Sequence, residues 1–325
     1  MITAPGAATT APRRRRSVVL FFVGLILAGA AIWFALGGGP GADALQAAWS
    51  NARKAPPALA GAIFVLPALN WLLTSAYFLV LTRRYGAVGA AEMGSLVGAS
   101  WLLNYAPLKP GLLGRVAYHK AVNAIAIADS VRVLASAIGA GICAVLVLLL
   151  IAAVTPRTAP VSFAVGAILT PGVACAIAAW ALRAKGHAWR IPAALGLRYA
   201  DALVWAARYF VIFAAIDQPV TAVQAAAIAG VSQLVLVIPF SGSGLGIREW
   251  AVGLTAATLP GWFAAPLTAD AAGTGIAADL LNRLAELCVA IVVGVPCVLA
   301  VSRRLRSVRR PAGGVNAGAP QPPVR

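Results

Sequence analysis

The chain has 325 residues, of which 61% are hydrophobic and 11% charged, and its mean hydropathy is +0.87. Soluble domains are about 45–50% apolar and about 25% charged, so this composition excludes an ordinary soluble protein. The formal net charge of +17 would suit nucleic-acid binding, but 10 of the 26 basic residues lie in the two tails. Basic residues that flank membrane spans mark the cytoplasmic side and attract anionic lipid, so nucleic acid is not an expected partner.

Six segments are apolar and long enough to cross a bilayer, which takes about 20 helical residues. In chain order these predicted spans are 18–36, 58–82, 133–155, 158–182, 195–216 and 284–302. The first run exceeds the apolar core of a secretory signal peptide, so we interpret it as an uncleaved span. We predict an outer loop over 38–57, a disordered basic tail over 1–17 and a basic, Pro/Gly-rich cytoplasmic tail over 303–325. The flanking Lys and Arg residues place both termini in the cytoplasm.

Two further segments do not fit simple spans. Between Arg84 and Val133 the chain must begin and end on the inner side, and its return leg is polar: it carries Lys109, Arg115, His119, Lys120 and Asp129. We therefore predict a re-entrant helical hairpin broken at Pro107–Pro110, because irregular backbone inside a membrane requires surrounding protein or a wet cavity. Residues 219–267 form either a second hairpin from the opposite face, broken at Pro239–Gly246, or two full crossings.

The predicted fold is thus an all-α, polytopic membrane protein with about six full spans and two re-entrant hairpins, giving eight hydrophobic segments. If both hairpins form, the membrane domain over 18–302 divides into halves 18–155 and 158–302 with the same order of elements and opposite orientation. Such an inverted repeat with paired broken segments is typical of transporters, in which it marks a binding site near the membrane midplane.

The stretch PFSGSGLGIREW, residues 239–250, places Arg248 and Glu249 directly after a glycine-rich break. A charge near the membrane centre costs roughly 2.5–3.5 kcal/mol, so it persists there only with a partner or a function. The start of a half-helix favours an anion, and Gly244 and Gly246 would let the backbone approach a lipid headgroup closely. In the alternative interpretation, the two charges lie at the cytoplasmic interface and anchor a turn.

Other charged residues could support such a site. Lys109 and Arg115 would add cationic donors from the first hairpin, or else snorkel to the interface. The spacing i, i+4, i+7 puts three residues on one helix face, where we expect them to pair with each other or with Arg248: Asp279, Arg283 and Glu286. The simpler interpretation of this polar network is structural. We also interpret Arg198, Asp201 and Arg208, at a helix entrance, as structural. Asn70 and Tyr77 share a helix face and could line a cavity, but we favour a role in packing.

Motifs for several kinds of chemistry are missing from the sequence. It has no phosphate-binding G-x-x-x-x-G-K-[ST] loop, no G-x-S-x-G nucleophile elbow, and no Cys, His or carboxylate set with metal-ligand spacing. We therefore predict no metal or cofactor and no enzymatic activity, and any catalysis would depend on the hairpin residues.

The stretch PFSGSGLGIREW resembles the flippase-like family of lysylphosphatidylglycerol synthase transmembrane regions, which carry a proline, a glycine-rich turn and Gly-x-Arg-Glu. The matching residues are Pro239, Gly244, Gly246, Arg248 and Glu249. A looser resemblance covers 15–305 and includes NYAPLKPGLLGRVAYHK at the first hairpin. There the family often has Gly-Glu-x-x-Arg, whereas this chain has Arg115 after Gly114 and Tyr118 in place of the arginine. The soluble aminoacyl-transferase domain of the full synthases is missing, so the resemblance implies lipid handling rather than lysyl transfer.

Our first functional hypothesis is a multi-pass lipid flippase or transporter of the inner or plasma membrane. It would bind the anionic headgroup of a phospholipid or a polyprenyl-phosphate-linked lipid at a cationic midplane site. One alternative is a membrane-embedded lipid-modifying transferase that uses Glu249 or Glu286 as acid or base. Another is a non-transporting accessory subunit of a cell-envelope lipid pathway, which would associate with envelope-biosynthesis enzymes.

Overall fold

A computed structural model describes residues 40–106, 110–156, 159–237, 246–258 and 271–309. Within these ranges all regular structure is helical, which confirms the predicted all-α class. The ten helices are α1 (Pro40–Lys54), α2 (Pro57–Thr82), α3 (Ala90–Leu103), α4 (Pro110–Val122), α5 (Ile127–Val154), α6 (Val161–Ala181), α7 (Arg190–Ala215), α8 (Ala222–Val237), α9 (Ile247–Thr258) and α10 (Ala271–Arg309). The predicted span 18–36 and the predicted tail 1–17 lie outside the described residues.

Four helices are long and apolar enough to cross a membrane, namely α2, α5, α6 and α10. They correspond to the predicted spans 58–82, 133–155, 158–182 and 284–302. Large aliphatic and aromatic side chains on their outer faces are exposed, among them Val65, Val154, Phe163 and Val292. Apolar surface of this kind suits lipid as solvent, so the chain has the helices of an integral membrane protein.

The predicted span 195–216 is part of α7, a helix of 26 residues that carries several charges. It packs along α2 and also against α5, α6 and α8. Because neighbouring helices surround it, the charged side chains of Asp201 and Arg208 are buried in protein. Burial among helices therefore explains how so polar a segment belongs to an apolar bundle.

Besides α1, which has 15 residues, four of the described helices are short, and these four come in two pairs. The first pair, α3 and α4, has 14 and 13 residues, and the second pair, α8 and α9, has 16 and 12. At about 1.5 Å per residue none of them reaches the roughly 30 Å of a bilayer's hydrocarbon core. The members of each pair pack against each other, and α3 and α9 both pack against α10. The breaks predicted at Pro107–Pro110 and Pro239–Gly246 fall between the paired helices, but 107–109 and 238–245 lie outside the described residues.

Two predicted segments contain helix that the sequence analysis did not describe. The predicted outer loop 38–57 contains α1, whose inner face carries Leu45, Ala48 and Ala52 against the main core. The apolar residues of α1 recur at helical spacing in the sequence, but the prediction of an outer loop did not use this signal. The last helix, α10, has 39 residues and extends beyond 284–302 at both ends, into the predicted tail as far as Arg309. A span was expected to stop at charges, whereas α10 contains paired, buried charges near its start and exposed arginines near its end.

Glycines allow α10 to approach the two short helices closely. A Cβ atom at Gly294 would lie 2.6 Å from the Cβ of Leu102 and 3.1 Å from the carbonyl oxygen of Gly98, both on α3. A Cβ atom at Gly275 would lie 2.9 Å from the Cα of Gly253 on α9. Small residues at helix crossings of this kind are typical of membrane bundles, where close packing stabilises association.

We expect Gly294→Ala to lower the stability of the fold by about 1–3 kcal/mol, because the added methyl group forces α3 away from α10. The matched control is Gly166→Ala on α6, where nothing lies within 4 Å of the added Cβ. That variant should be neutral or slightly stabilising, since alanine favours helix over glycine. Thermal unfolding in detergent measures both, and equal midpoints for the two variants would contradict the close contact.

Candidate functional site

Six charged side chains from α7, α9 and α10 meet in the protein interior, and none of these residues is more than 8% exposed. We call them the charge cluster: Arg208, Arg248, Glu249, Asp279, Arg283 and Glu286. Three are arginines and three are carboxylates, so the formal charges of the cluster cancel. Removing charges from water is costly unless they are paired with good geometry, so the pairing within the cluster decides whether it is stable.

Arg248, on the first turn of α9, lies at the centre of the charge cluster and is 1% exposed. Its Nε is 3.0 Å from Oδ2 of Asp279 and its Nη1 is 3.4 Å from Oε2 of Glu286. Asp279 also accepts a hydrogen bond of 2.6 Å from the hydroxyl of Tyr209 on α7. Arg248 therefore ties the short helix α9 to two carboxylates that lie two turns apart on the same face of α10.

The other two arginines complete the pairing. Arg283 forms an ion pair with Glu249 and lies 3.9 Å from Asp279. Arg208 on α7 is paired with Glu286, its Nη2 lying 3.1 Å from Oε2. Each carboxylate of the charge cluster thus faces at least one guanidinium group, and the cluster joins α7, α9 and α10.

A hydrogen-bonded chain continues from the charge cluster toward α2. The Nε and Nη2 of Arg208 donate to Oδ1 of Asn282, at 3.0 and 2.7 Å, and its Nη1 donates to Oδ1 of Asn70 at 3.3 Å. Asn70 in turn donates to Oδ1 of Asp201 at 2.7 Å, and Asp201 pairs with Arg198. The charge cluster is therefore continuous with the polar stripe on α7, which the sequence analysis interpreted as structural.

The end of α3 also reaches the charge cluster. The indole Nε1 of Trp101 donates to Oε1 of Glu286 at 3.4 Å, and Tyr105, just beyond the helix, lies within electrostatic range of Glu286 and Arg248. A second tryptophan, Trp205 on α7, has its ring 3.8 Å from Cζ of Arg208 and 5.5 Å from Cζ of Arg248. Glu286 therefore contacts both pairs of short helices, through Trp101 of α3 and Arg248 of α9.

The structure brings together five of the predicted site residues: Arg248, Glu249, Asp279, Arg283 and Glu286. The predicted Gly246 forms the turn before α9 with φ +80°, a left-handed value that glycine adopts without strain. Gly244 and Lys109 lie outside the described residues. Arg115 lies apart from the charge cluster, since α4 turns it toward Phe78, where Cζ is 4.0 Å from the ring centre. The cluster is also charge-balanced, whereas the sequence led us to expect a cationic site.

Sequence reasoning missed three contributors to the site. It interpreted Arg208 and Asn70 as structural and did not consider Asn282. The spacing carried a signal for Asn282, which shares an i, i+3, i+7 face with Asp279 and Glu286. No spacing rule connects α2 or α7 to that face, so only their packing shows that Asn70 and Arg208 reach it.

Three buried polar atoms at the site have no hydrogen-bond partner among the described residues: Nη2 of Arg248, Oε2 of Glu249 and Nδ2 of Asn282. Such groups are rare in protein interiors, and each one has the capacity to bind a ligand atom. In the described ranges, no group of three or more His, Cys, Asp or Glu side chains could hold a metal ion. The atoms of Arg248 and Asn282 that lack a partner among the described residues are hydrogen-bond donors, which favours an oxygen-rich or anionic ligand.

Comparisons with known proteins identified no family for the chain: no protein-family model matches it, and neither does any curated protein or solved structure. The geometry of the charge cluster is therefore the main support for any function.

We expect Arg248→Gln to lower stability by about 3–5 kcal/mol, because it leaves buried carboxylates without their guanidinium partner. Adding Asp279→Asn should recover part of that loss, since the double variant restores the balance of formal charge. The control is Arg132→Gln, in an ion pair whose arginine side chain is 67% exposed. Exposed pairs contribute about 0–1 kcal/mol, so this change should have little effect. Thermal or chemical unfolding in detergent would contradict the pairing if the double variant were less stable than the single one.

Proposed function

We propose that this chain is a flippase-like integral membrane protein that binds an anionic lipid headgroup at the charge cluster and moves the lipid between leaflets. The resemblance of residues 239–250 to lysylphosphatidylglycerol synthase transmembrane regions supports this proposal. So does the meeting of two short-helix pairs at one buried polar site. The chemical class of the ligand is a lipid with a phosphate in its headgroup.

Arg248 is the observation that carries the proposal. Its guanidinium group is buried, two of its nitrogens face carboxylates, and its Nη2 has no hydrogen-bond partner among the described residues. Arginine matches phosphate geometry because it can donate two parallel hydrogen bonds to two oxygens. Ionisable groups buried in membrane bundles are costly and commonly mark a substrate pathway.

A headgroup could bind by exchanging partners within the charge cluster. A phosphate oxygen would first accept from Nη2 of Arg248 and then displace Asp279 from Nε. Arg283 lies 3.9 Å from Asp279 and is placed to hold the released carboxylate. The arginines would then be ion-paired both before and after the headgroup binds, which avoids the free-energy cost of an unpaired charge in the membrane.

The short helices would provide the route for the lipid. In this proposal α3 with α4 and α8 with α9 are re-entrant hairpins, and their breaks open a polar chamber near the midplane. The first backbone N–H groups of α9 have no intrahelical partner and form the positive end of the helix dipole, beside Arg248. Both features favour a negative headgroup, while the acyl chains remain in the bilayer.

Lipid scrambling in proteoliposomes tests the proposal. The charge-balanced variant Arg248→Gln/Asp279→Asn should translocate fluorescently labelled phosphatidylglycerol about tenfold to a hundredfold more slowly than the native protein, the loss expected for one charge-assisted hydrogen bond of about 1.5–3 kcal/mol. Dithionite quenching of the label reports the rate. Arg132→Gln should scramble at the native rate, and native rates in the double variant would remove Arg248 from the mechanism.

A second measurement separates transport from lipid chemistry. Mass spectrometry of lipids incubated with the reconstituted protein should show unchanged masses and enrichment of phosphate-headed lipids in the co-purified fraction. A product of altered mass that requires active protein would instead support a lipid-modifying transferase.

A further inference from the structure

A small cavity lies between α2, α4 and α5, separate from the charge cluster. Polar side chains from all three helices line it: Thr82 at the end of α2, Arg115 and His119 on α4, and Ser130 in the first turn of α5. The ring of Phe78 and aliphatic side chains form the remaining walls, and the cavity volume is about 20 Å³.

Three of these side chains direct unpaired polar atoms to the interior. Arg115 is only 9% exposed, and its buried Nε and Nη1 have no hydrogen-bond partner within the described ranges. The hydroxyl oxygens of Thr82 and Ser130 are also buried and have no hydrogen-bond partner among the described residues. The residues that line the cavity thus contain four unpaired donor atoms, two on a guanidinium and two on hydroxyls, which lie within its walls behind a mostly apolar surface.

The positive charge of Arg115 is not neutralised by a carboxylate in the described part of the chain. The nearby Asp129 pairs with Arg132 at 2.6 Å, and Glu92 lies 3.3 Å from Arg304 while it accepts hydrogen bonds from Tyr118 and Asn123. The ring of Phe78, 4.0 Å from Cζ, offers a cation–π contact but no negative charge. A buried charge without a counter-charge is strongly unfavourable, which indicates that something else supplies one.

We propose that the cavity binds one small inorganic anion of the halide class, such as chloride. A site needs roughly 10–15 Å³ to hold a water molecule, so a cavity of this volume accommodates one monatomic ion but not the four oxygens of a phosphate. Ser130 lies in the first turn of α5, where the positive end of the helix dipole adds to the attraction. A water molecule would supply partners for the hydroxyls but would leave the guanidinium charge uncompensated.

The proposed anion would also join three elements. It would bridge the C-terminal end of α2, the middle of α4 and the first turn of α5, and so fix α4 in the orientation that keeps Arg115 away from the charge cluster. The inference does not depend on the proposed lipid function, because none of the residues that line the cavity belongs to the charge cluster.

Thermal unfolding of the full chain in detergent tests the site. At constant ionic strength, replacing gluconate by chloride or bromide should raise the native midpoint by about 2–4 °C, saturably, because a ligand that binds the folded state stabilises it. Arg115→Gln should abolish the halide dependence and Ser130→Ala should weaken it. The matched control Arg132→Gln, on the same helix as Ser130, should keep the full response.

Two further measurements identify the ion directly. Anomalous scattering from crystals grown in bromide should give a peak between Arg115 and Ser130, and bound phosphorus per chain should be the same in native protein and Arg115→Gln. Equal midpoints in chloride and gluconate for the native protein would overturn the site and leave water in the cavity. A bound phosphorus lost in Arg115→Gln would overturn the assignment to a halide in favour of a phosphate headgroup.

Discussion

The pairing of Arg248 with Asp279 and Glu286 is the interaction on which the rest of the site depends. All three side chains are buried, so each charge requires an opposite charge within contact distance. That requirement holds the first turn of α9 against the N-terminal half of α10, where Arg208 of α7 contacts the same oxygen of Glu286 as Arg248 does. A charge-balanced group of six residues thereby fixes how three helices meet inside an apolar bundle.

Close packing keeps the short helices where this pairing needs them. Gly275 lets α9 approach α10, and Gly294 does the same for α3, so a close glycine contact lies on either side of the charge cluster along α10. Trp101 then extends from α3 to Glu286. Within lipid the hydrophobic effect offers little driving force for helix association. Van der Waals contact between small residues and ion pairing between buried charges therefore both stabilise the way these helices pack.

Arg115 and Arg248 show how the same residue type acquires different roles. Arg248 is held by two carboxylates, and one of its nitrogens has no hydrogen-bond partner in the described part of the chain, which suits exchange with an incoming phosphate. Arg115 is buried beside Phe78 with two nitrogens unpaired and no carboxylate in contact among the described residues, which suits a resident counter-ion. The balance of charge around each guanidinium group, rather than burial alone, distinguishes the two proposed functions.

The sequence by itself determined the all-α class, four apolar helices of membrane-spanning length, the turn at Gly246 and the shared face of Asp279, Arg283 and Glu286. These follow from composition and from helical spacing, which act over a few turns of one helix. The tertiary structure alone decided that α1 packs on the core, that Arg208 belongs to the charge cluster and Asn70 contacts it, and that Arg115 does not. Contacts between helices far apart in the chain depend on packing and on the pairing of distant charges, and no local periodicity encodes them.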